Sequence, residues 1–194
     1  IICFGELIST TIISDYMEME GIENQFIDIR KFLKTDQNYR NANIDLELSE
    51  QLCKEAFDFN TSSTFVTQGF IAGTRTNQTT TLGREGSDYT AALLANLLNA
   101  ENVTIWKDVP GVMNADPKEY EKAQVISRMS YKEAIELSHF GAKVIHPKTI
   151  KPIQNKQIPL YVKSFLHPES EGTVIQEIDE HLKLPPIYIN KENQ

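Results

Sequence analysis

Segments with helical and strand-like patterns alternate along most of the chain, and this alternation limits the folds that it can adopt. Apolar residues at three- and four-residue spacing predict helices over residues 6–20, 46–57, 88–99 and 130–141. Runs rich in β-branched and aromatic residues predict strands between them, over residues 25–29, 64–73, 102–106 and 158–165. An alternation of this kind predicts an α/β fold, with a mainly parallel central sheet covered by helices on both faces.

Local signals mark where several of these helices begin and end. Gly21 follows the first helical pattern and fits a C-terminal stop. Ser130 and Glu133 have the spacing of a capping box, which predicts a helix start there. Pro147 can begin a further short helix, because proline is favoured in the first turn. Residues 102–106 are expected to form a central strand.

Composition and charge exclude several classes of function. A chain of 194 residues with 40% hydrophobic and 24% charged residues fits a soluble globular domain. Its net charge of −8 argues against general binding to nucleic acid or acidic membranes, and no apolar run approaches the length of a membrane span. Cys3 and Cys53 form neither a disulfide framework nor a metal spacing, which predicts a reducing, cytoplasmic setting.

The two ends of the chain predict a fragment. The chain opens with IICFGEL, without an initiator Met or a signal peptide, and we expect this stretch to be the end of a buried strand whose beginning is missing. After residue 175 the chain becomes polar and charged, so residues 176–194 are expected to be a linker. Within it, PPIYIN at 185–190 is expected to begin another small unit.

Four segments are candidates for a ligand site because they follow predicted strands or begin predicted helices. In open α/β sheets, ligands bind beyond the carboxyl ends of the strands. The segments are FGELIST (4–10), TTTLGREGSD (79–88), KDVPGVMNADPK (107–118) and FGAKVIHPKT (140–149). Their convergence is a stronger signal than any one of them alone.

Each segment also has a purely structural explanation. An acid such as Glu6 in a first turn is favoured by the helix dipole alone, and a basic residue such as Lys143 complements a helix C-terminus. Arg84 offers a fork suited to a carboxylate or phosphate, but it also fits an ordinary surface loop. Ser87 and Asp88 can cap the following helix. The chain has neither a P-loop nor a GxGxxG motif, so a nucleotide would bind in another way.

Four stretches together resemble segments of the aspartate kinases, which are members of the amino-acid kinase family: TQGFIAG (67–73), GREGSDYTAALLA (83–95), IWKDVPGVMNADP (105–117) and FGAKVIHPKT (140–149). The resemblance implies that residues 1–175 are a catalytic domain of that family, truncated at its N-terminus. The family's fold is a three-layer α/β/α sandwich around a mainly parallel sheet.

The resemblance also implies an activity. Aspartate kinases transfer the γ-phosphoryl group of Mg-ATP to the side-chain carboxylate of L-aspartate. The product is 4-phospho-L-aspartate, on the way to lysine, threonine and methionine. The implied ligands are therefore aspartate, ATP and Mg²⁺, and the full-length protein is expected to be a homodimer.

The same resemblance implies roles for individual residues. Glu6 would receive the substrate ammonium and Arg84 the substrate α-carboxylate, with Ser87 close to the substrate. Asp88 would lie at the catalytic centre. The nucleotide-binding positions would be Lys107, Asp108, Met113, Lys118, Lys143 and Val144.

The chain departs from the family pattern in several places. A Lys-x-Gly-Gly motif with a catalytic lysine would precede residue 1, and small regulatory domains would follow residue 175, so the fragment alone is expected to be weakly active or inactive. Lys107, Met113 and Glu85 stand where the family often has Thr, Tyr and Gly. We expect Glu85 to point toward solvent or a basic side chain, and at positive φ to cost about 1 kcal/mol.

Two alternative functions stay open. The chain could be another amino-acid kinase, acting on glutamate, carbamate or a nucleoside monophosphate. It could also be a noncatalytic ligand-binding or assembly module that lacks the catalytic lysine.

Overall fold

The computed structural model describes residues 2–139, 144–178 and 185–188. The chain divides into two compact units, Ile1–Leu98 and Asn99–Gln194, which we call the first and the second unit. Each unit has its own helices and strands and is described by itself.

In its described residues, the first unit contains three α-helices and five short strands. The helices are α1 (Cys3–Met19), α2 (Leu46–Ala56) and α3 (Gly86–Leu98), and a 3₁₀ helix covers Ile29–Lys31. The strands are β1 (Gln25–Ile27), β2 (Lys34–Thr35), β3 (Phe65–Thr67), β4 (Ile71–Thr74) and β5 (Thr79–Thr81). Strand β1 pairs with β3 and β2 with β4, both in parallel, whereas β4 and β5 form an antiparallel hairpin. Leu33, Ile71 and Leu93 are fully buried in the core of this unit.

Helix α1 begins earlier than its sequence pattern predicts. Cys3 and Phe4 are helical, so the prediction that IICFGEL ends a buried strand is wrong. The β-branched pair at residues 1 and 2 suggested a strand, but the helical repeat continues upstream through Cys3. The predicted stop at Gly21 is confirmed: its φ is +78°, and its N–H donates to the Glu18 carbonyl at 3.0 Å. With Ile22 N–H donating to the Met17 carbonyl at 2.8 Å, this is a Schellman motif.

The segment from residue 64 to residue 88 differs most from its prediction. Residues 64–73 form two strands, β3 and β4, separated by a turn at residues 68–70. The Thr run at 79–81, which was not predicted to be a strand, is β5. Helix α3 begins at Gly86, so Ser87 and Asp88 lie inside its first turn and the predicted capping role is wrong. The carbonyl of Glu85 instead accepts the first helical bond, from Tyr89 N–H at 3.1 Å.

The described part of the second unit is built around a four-stranded sheet. Its elements are β6 (Val103–Lys107), β7 (Arg128–Ser130), α4 (Tyr131–His139), α5 (Pro147–Gln154), β8 (Leu160–Ser164) and β9 (Thr173–Gln176). The strand order is β6-β8-β9-β7, with β6–β8 and β7–β9 parallel and β8–β9 antiparallel. Among the described residues, β6 is therefore an edge strand of this sheet, and the prediction that it is a central strand is wrong.

The predicted helix starts of the second unit are confirmed. The Glu133 carboxylate accepts from Ser130 N–H at 2.7 Å, and Ser130 Oγ accepts from Glu133 N–H at 3.2 Å, which is a capping box. Helix α5 starts at Pro147, with His146 as its N-cap. Strands β7 and β9, three and four residues long, were not predicted because runs this short carry little periodic signal.

The predicted α/β class with mainly parallel strands is confirmed. Four of the six strand pairings among the described residues are parallel. No helix in the described part of the chain is long and apolar enough to cross a membrane. The predicted division at residue 175 stays a prediction. Residues 185–188 have no regular structure and contact the loop around Asn114, to which Tyr188 N–H donates at 2.9 Å.

Candidate functional site

The first predicted substrate residue, Glu6, lies in the first turn of α1. Its side chain is half-buried, and the dipole of a 17-residue helix favours an acid at this end. One turn later, Thr10 Oγ1 donates to the Glu6 carbonyl oxygen at 2.7 Å. The Glu6 carboxylate is therefore carried by a helix, and the backbone carbonyl of the same residue accepts a hydrogen bond from a side chain.

Arg84 lies in the short segment between β5 and α3. Leu82 anchors this segment: its side chain is fully buried, and its N–H donates to the Phe70 carbonyl at 2.9 Å. Gly83 has a φ of +79°, and a Cβ there would come within 2.5 Å of Asn41 Oδ1, so the chain needs glycine to turn. The Arg84 side chain is exposed, and no described residue forms a hydrogen bond or ion pair with its guanidinium.

The first turn of α3 brings the other predicted substrate residues next to Arg84. Ser87 is exposed and Asp88 is half-buried, and both lie within the first three residues of the helix. A guanidinium beside the N-terminus of a helix suits a carboxylate ligand. This stretch therefore has the chemistry of an anion receptor, with Asp88 as the nearby acid in the first turn.

Glu85 does not behave as predicted. Its φ of +53° lies in the left-handed region, the conformation that glycine adopts more readily. Its Oε2 atom, however, is buried and has no hydrogen-bond partner among the described residues. The expectation that it points to solvent or to a basic side chain is therefore wrong for this oxygen, and the residue combines backbone strain with an unpaired buried acceptor.

In the second unit, Lys107 and Asp108 mark the carboxyl end of β6. Lys107 is the last residue of the strand and is half-buried, and Asp108 is exposed directly after it. The Lys107 carbonyl accepts from Phe165 N–H at 3.0 Å, so the bonding between β6 and β8 continues to this point. This is the end of a parallel pair at which α/β proteins bind ligands.

The remaining predicted nucleotide residues lie in or after the loop that follows. Met113 is half-buried and forms an isolated antiparallel bridge with Val125. Lys118 is exposed, and its N–H donates to Asp116 Oδ1 at 2.9 Å in an Asx turn. Val144 is half-buried before α5. The prediction for Lys143 falls outside the described residues.

Sequence reasoning missed Asn114, which organises this loop. The side chain is buried, and its Oδ1 accepts from Gln124 N–H at 2.7 Å while its Nδ2 donates to the Pro186 carbonyl at 2.9 Å. Its backbone N–H also donates to the Gln124 carbonyl at 3.0 Å. The only available signal was an asparagine between the Pro-Gly and Asp-Pro turn pairs, which is too common a pattern to single out one residue.

A surface cleft of about 390 Å³ lies beside β2 and β4, and none of the predicted site residues lines it. Its carboxylates already have partners: Asp45 accepts from Arg75 Nε at 3.1 Å, and Asp36 accepts from Asn43 N–H at 3.1 Å. The hydrogen bond from Arg75 lowers the pKa of Asp45. Within the described ranges, no group of three His, Cys, Asp or Glu residues is arranged to hold a metal ion.

Comparisons with known proteins identify the family of the chain. Residues 1–164 match the model of the Amino acid kinase family, and the chain belongs to that family. Lysine-sensitive aspartokinase 3 of Escherichia coli (strain K12) is 37% identical over 189 residues, which are 97% of this chain and 41% of that protein. A bifunctional aspartokinase/homoserine dehydrogenase 2, chloroplastic, of Arabidopsis thaliana is 39% identical over 184 residues, 93% of this chain and 20% of that protein.

A solved structure is similar over most of the described chain. The crystal structure of E. coli aspartokinase III in complex with aspartate and ADP has a TM-score of 0.85 and 38% identity, covering 91% of this chain and 40% of that one. This likeness confirms the predicted amino-acid kinase fold. The chain spans less than half the length of these relatives.

Proposed function

We propose that the chain is part of an aspartate kinase, which transfers the γ-phosphoryl group of Mg-ATP to the side-chain carboxylate of L-aspartate. The product is 4-phospho-L-aspartate, which leads toward lysine, threonine and methionine. The observation that carries this proposal is the exposed Arg84 guanidinium, without a partner in the described residues, at the start of α3. The similarity to aspartokinases across nearly the whole chain supports it.

Aspartate presents one ammonium and two carboxylates, so its recognition needs a fixed anion and a fixed cation. Glu6 supplies the anion for the ammonium, and Arg84 supplies a planar fork for the α-carboxylate. Ser87 lies in the same first turn and can donate to the substrate. This pair of opposite charges favours an amino acid over carbamate or a nucleoside monophosphate.

The proposed chemistry needs positioning more than acid–base catalysis. The attacking carboxylate is already ionised at neutral pH, so no general base is required. The protein must hold two anionic ligands and neutralise charge on the transferring group. Asp88 then organises a cation near the reacting groups instead of removing a proton.

The nucleotide is assigned to residues of the second unit. Lys118 and Lys143 are cations for the phosphates, and Lys107 and Asp108 stand at the end of β6, where a nucleotide contact is expected. Met113 can pack against the base, because its thioether is polarisable and flexible. Mg²⁺ would be supplied with ATP and would neutralise charge on its phosphates, as is usual for this ion.

We further propose a homodimeric full-length protein in a reducing, cytoplasmic setting, without nucleic-acid or membrane partners. The two cysteines, Cys3 and Cys53, are free thiols, and burial raises the pKa of Cys53 to about 12, which suits a structural role. The net charge of −8 disfavours polyanionic partners.

A substrate panel tests the proposal. The longest natural protein that contains this chain is supplied with Mg-ATP and, one at a time, L-aspartate, L-glutamate, carbamate and UMP, while ADP formation is followed. We expect ADP release that depends on aspartate and saturates with it. Faster turnover of another acceptor would favour the other kinase, and aspartate binding by calorimetry without any turnover would favour the noncatalytic module.

A further inference from the structure

The turn at residues 68–70 joins the two helices that carry the predicted substrate residues. Gln68 is fully buried there. Its Oε1 accepts from the N–H of Ile29 at 3.0 Å, and its Nε2 donates to Thr10 Oγ1 at 3.0 Å. The amide has a single consistent orientation, because a backbone N–H can only donate and must face the amide oxygen.

Thr10 passes this contact on to Glu6. Its hydroxyl accepts from Gln68 and donates to the Glu6 carbonyl oxygen at 2.7 Å, one helical turn earlier. A chain of three hydrogen bonds therefore runs from Ile29 through Gln68 and Thr10 to the residue that carries the acid. It fixes the position of the first turn of α1 relative to β3 and the 3₁₀ helix.

The next two residues of the turn contact the start of α3. A Cβ on Gly69 would lie 2.9 Å from both Cα and Cβ of Ser87, so the backbones approach as closely as glycine permits. Phe70 N–H donates to Thr90 Oγ1 at 3.0 Å, and that hydroxyl donates to the Gly86 carbonyl at 2.8 Å. The 68–70 turn thus contacts both helix starts.

We propose that Gln68 is a positioning residue for binding of the amino-acid substrate. It holds the end of α1 that carries Glu6 in register with the end of α3 that carries Arg84 and Ser87, so that one ligand can reach both charges. This inference rests on the proposed function, because it assumes that these residues bind one amino acid. Gln68 itself has both ends of its amide occupied and acts only through Thr10.

The test compares variants along this chain of hydrogen bonds in the full-length protein. Gln68→Met removes both amide contacts with little change in length, and Thr10→Val removes the hydroxyl but keeps the branched shape. Thr10→Ser restores the hydroxyl. Thr11→Val is a matched control, because Thr11 Oγ1 makes the same type of bond to the Leu7 carbonyl at 2.8 Å on an exposed position without contacting Gln68.

We expect Gln68→Met and Thr10→Val each to raise the KM for aspartate about tenfold, with kcat and the KM for ATP within about twofold. In the double variant the KM for aspartate should also rise about tenfold instead of a hundredfold, because both changes break the same chain of hydrogen bonds. The KM for aspartate of Thr10→Ser and of Thr11→Val should stay near that of the unaltered protein. A thermal unfolding measurement shows whether each variant is folded at the assay temperature.

Three results would overturn the inference. The first is an unchanged KM for aspartate in Gln68→Met and Thr10→Val, and the second is an equal change in the KM values for aspartate and ATP. The third is a double variant whose KM for aspartate rises by the product of the two single effects. These results leave the proposed function intact. In contrast, an unaltered full-length protein without aspartate-dependent turnover would overturn the proposed function, and this inference with it.

Discussion

The two regions predicted to bind ligands are each held by one buried amide side chain, but in different ways. In the first unit, Gln68 bonds a threonine hydroxyl on α1 and the N–H of Ile29, groups 58 and 39 residues away in the chain. In the second unit, Asn114 bonds two backbone groups, Gln124 N–H and the Pro186 carbonyl. The first amide fixes a helix, and the second shapes a loop.

The difference indicates how precisely the predicted site residues of each region are positioned. Glu6, Ser87 and Asp88 lie in the first turns of helices, so their positions follow from how those helices pack. Met113 and Lys118 lie in a loop outside the helices and strands, in which Met113 forms an isolated bridge. Sites on helices are positioned more precisely than sites on loops. We therefore expect the predicted amino-acid site to be positioned more precisely than the predicted nucleotide site.

The largest expected effect tests the first region. Arg84→Ala should raise the KM for aspartate about a hundredfold, because truncating one partner of a charge-assisted contact costs on the order of 2–5 kcal/mol. The KM for ATP should change less than threefold, as measured by initial rates of ADP formation. Arg84→Lys should recover part of the loss, since it keeps the charge but not the fork.

The control for this prediction is Lys54→Ala, which removes an exposed cation on α2 that pairs only with Glu50 in the described structure. It should leave both KM values unchanged. Equal effects of Arg84→Ala on aspartate and ATP would contradict the assignment of Arg84 to the amino acid and remove the contrast between the two regions.

A smaller effect is expected from the loop of the second unit. Asn114→Ala leaves Gln124 N–H and the Pro186 carbonyl without partners, which costs on the order of 1–3 kcal/mol. We expect about a tenfold higher KM for ATP and less than a twofold change for aspartate. Asn114→Asp keeps the acceptor for Gln124 N–H, so its KM for ATP should lie between those of the unaltered protein and Asn114→Ala. A larger change for aspartate than for ATP would show that the loop does not serve the nucleotide.

The smallest expected effect concerns Glu85. Glu85→Gly should stabilise the protein by about 1 kcal/mol, because it relieves a left-handed backbone and removes an unpaired buried oxygen. A gain of this size corresponds to a rise in Tm of roughly 2–4 °C for a chain of this length. Glu85→Ala removes only the carboxylate, so the difference between the two variants measures the strain. Destabilisation by both would mean that Glu85 has a stabilising partner.

Much of the fold could be predicted because its signals are local. The stop at Gly21, the Ser130–Glu133 capping box and the helix start at Pro147 each depend on residues within one or two turns. The short strands β2, β5, β7 and β9 were missed, since two to four residues carry no periodicity and their pairing depends on distant partners.

The candidate site divides in the same way. Glu6, Arg84 and Asp108 were predicted from motifs that stand in continuous segments, and their roles stay predictions. The roles of Gln68 and Asn114 could not be read from the chain, because an amide that bridges residues tens of positions apart leaves no pattern nearby. The cost of a positive φ at Glu85 was considered because the family often has Gly there, but the burial of its Oε2 is a tertiary effect.

The most direct test of the central claim is to trap the product. An acyl phosphate reacts with hydroxylamine to give a hydroxamate, whereas a phosphate ester does not. With the full-length protein, Mg-ATP, L-aspartate and hydroxylamine, we predict aspartate hydroxamate in an amount equal to the ADP released, and a sharp loss of both in Arg84→Ala at low aspartate. ADP formation that depends on aspartate but yields no hydroxamate would contradict transfer to the carboxylate.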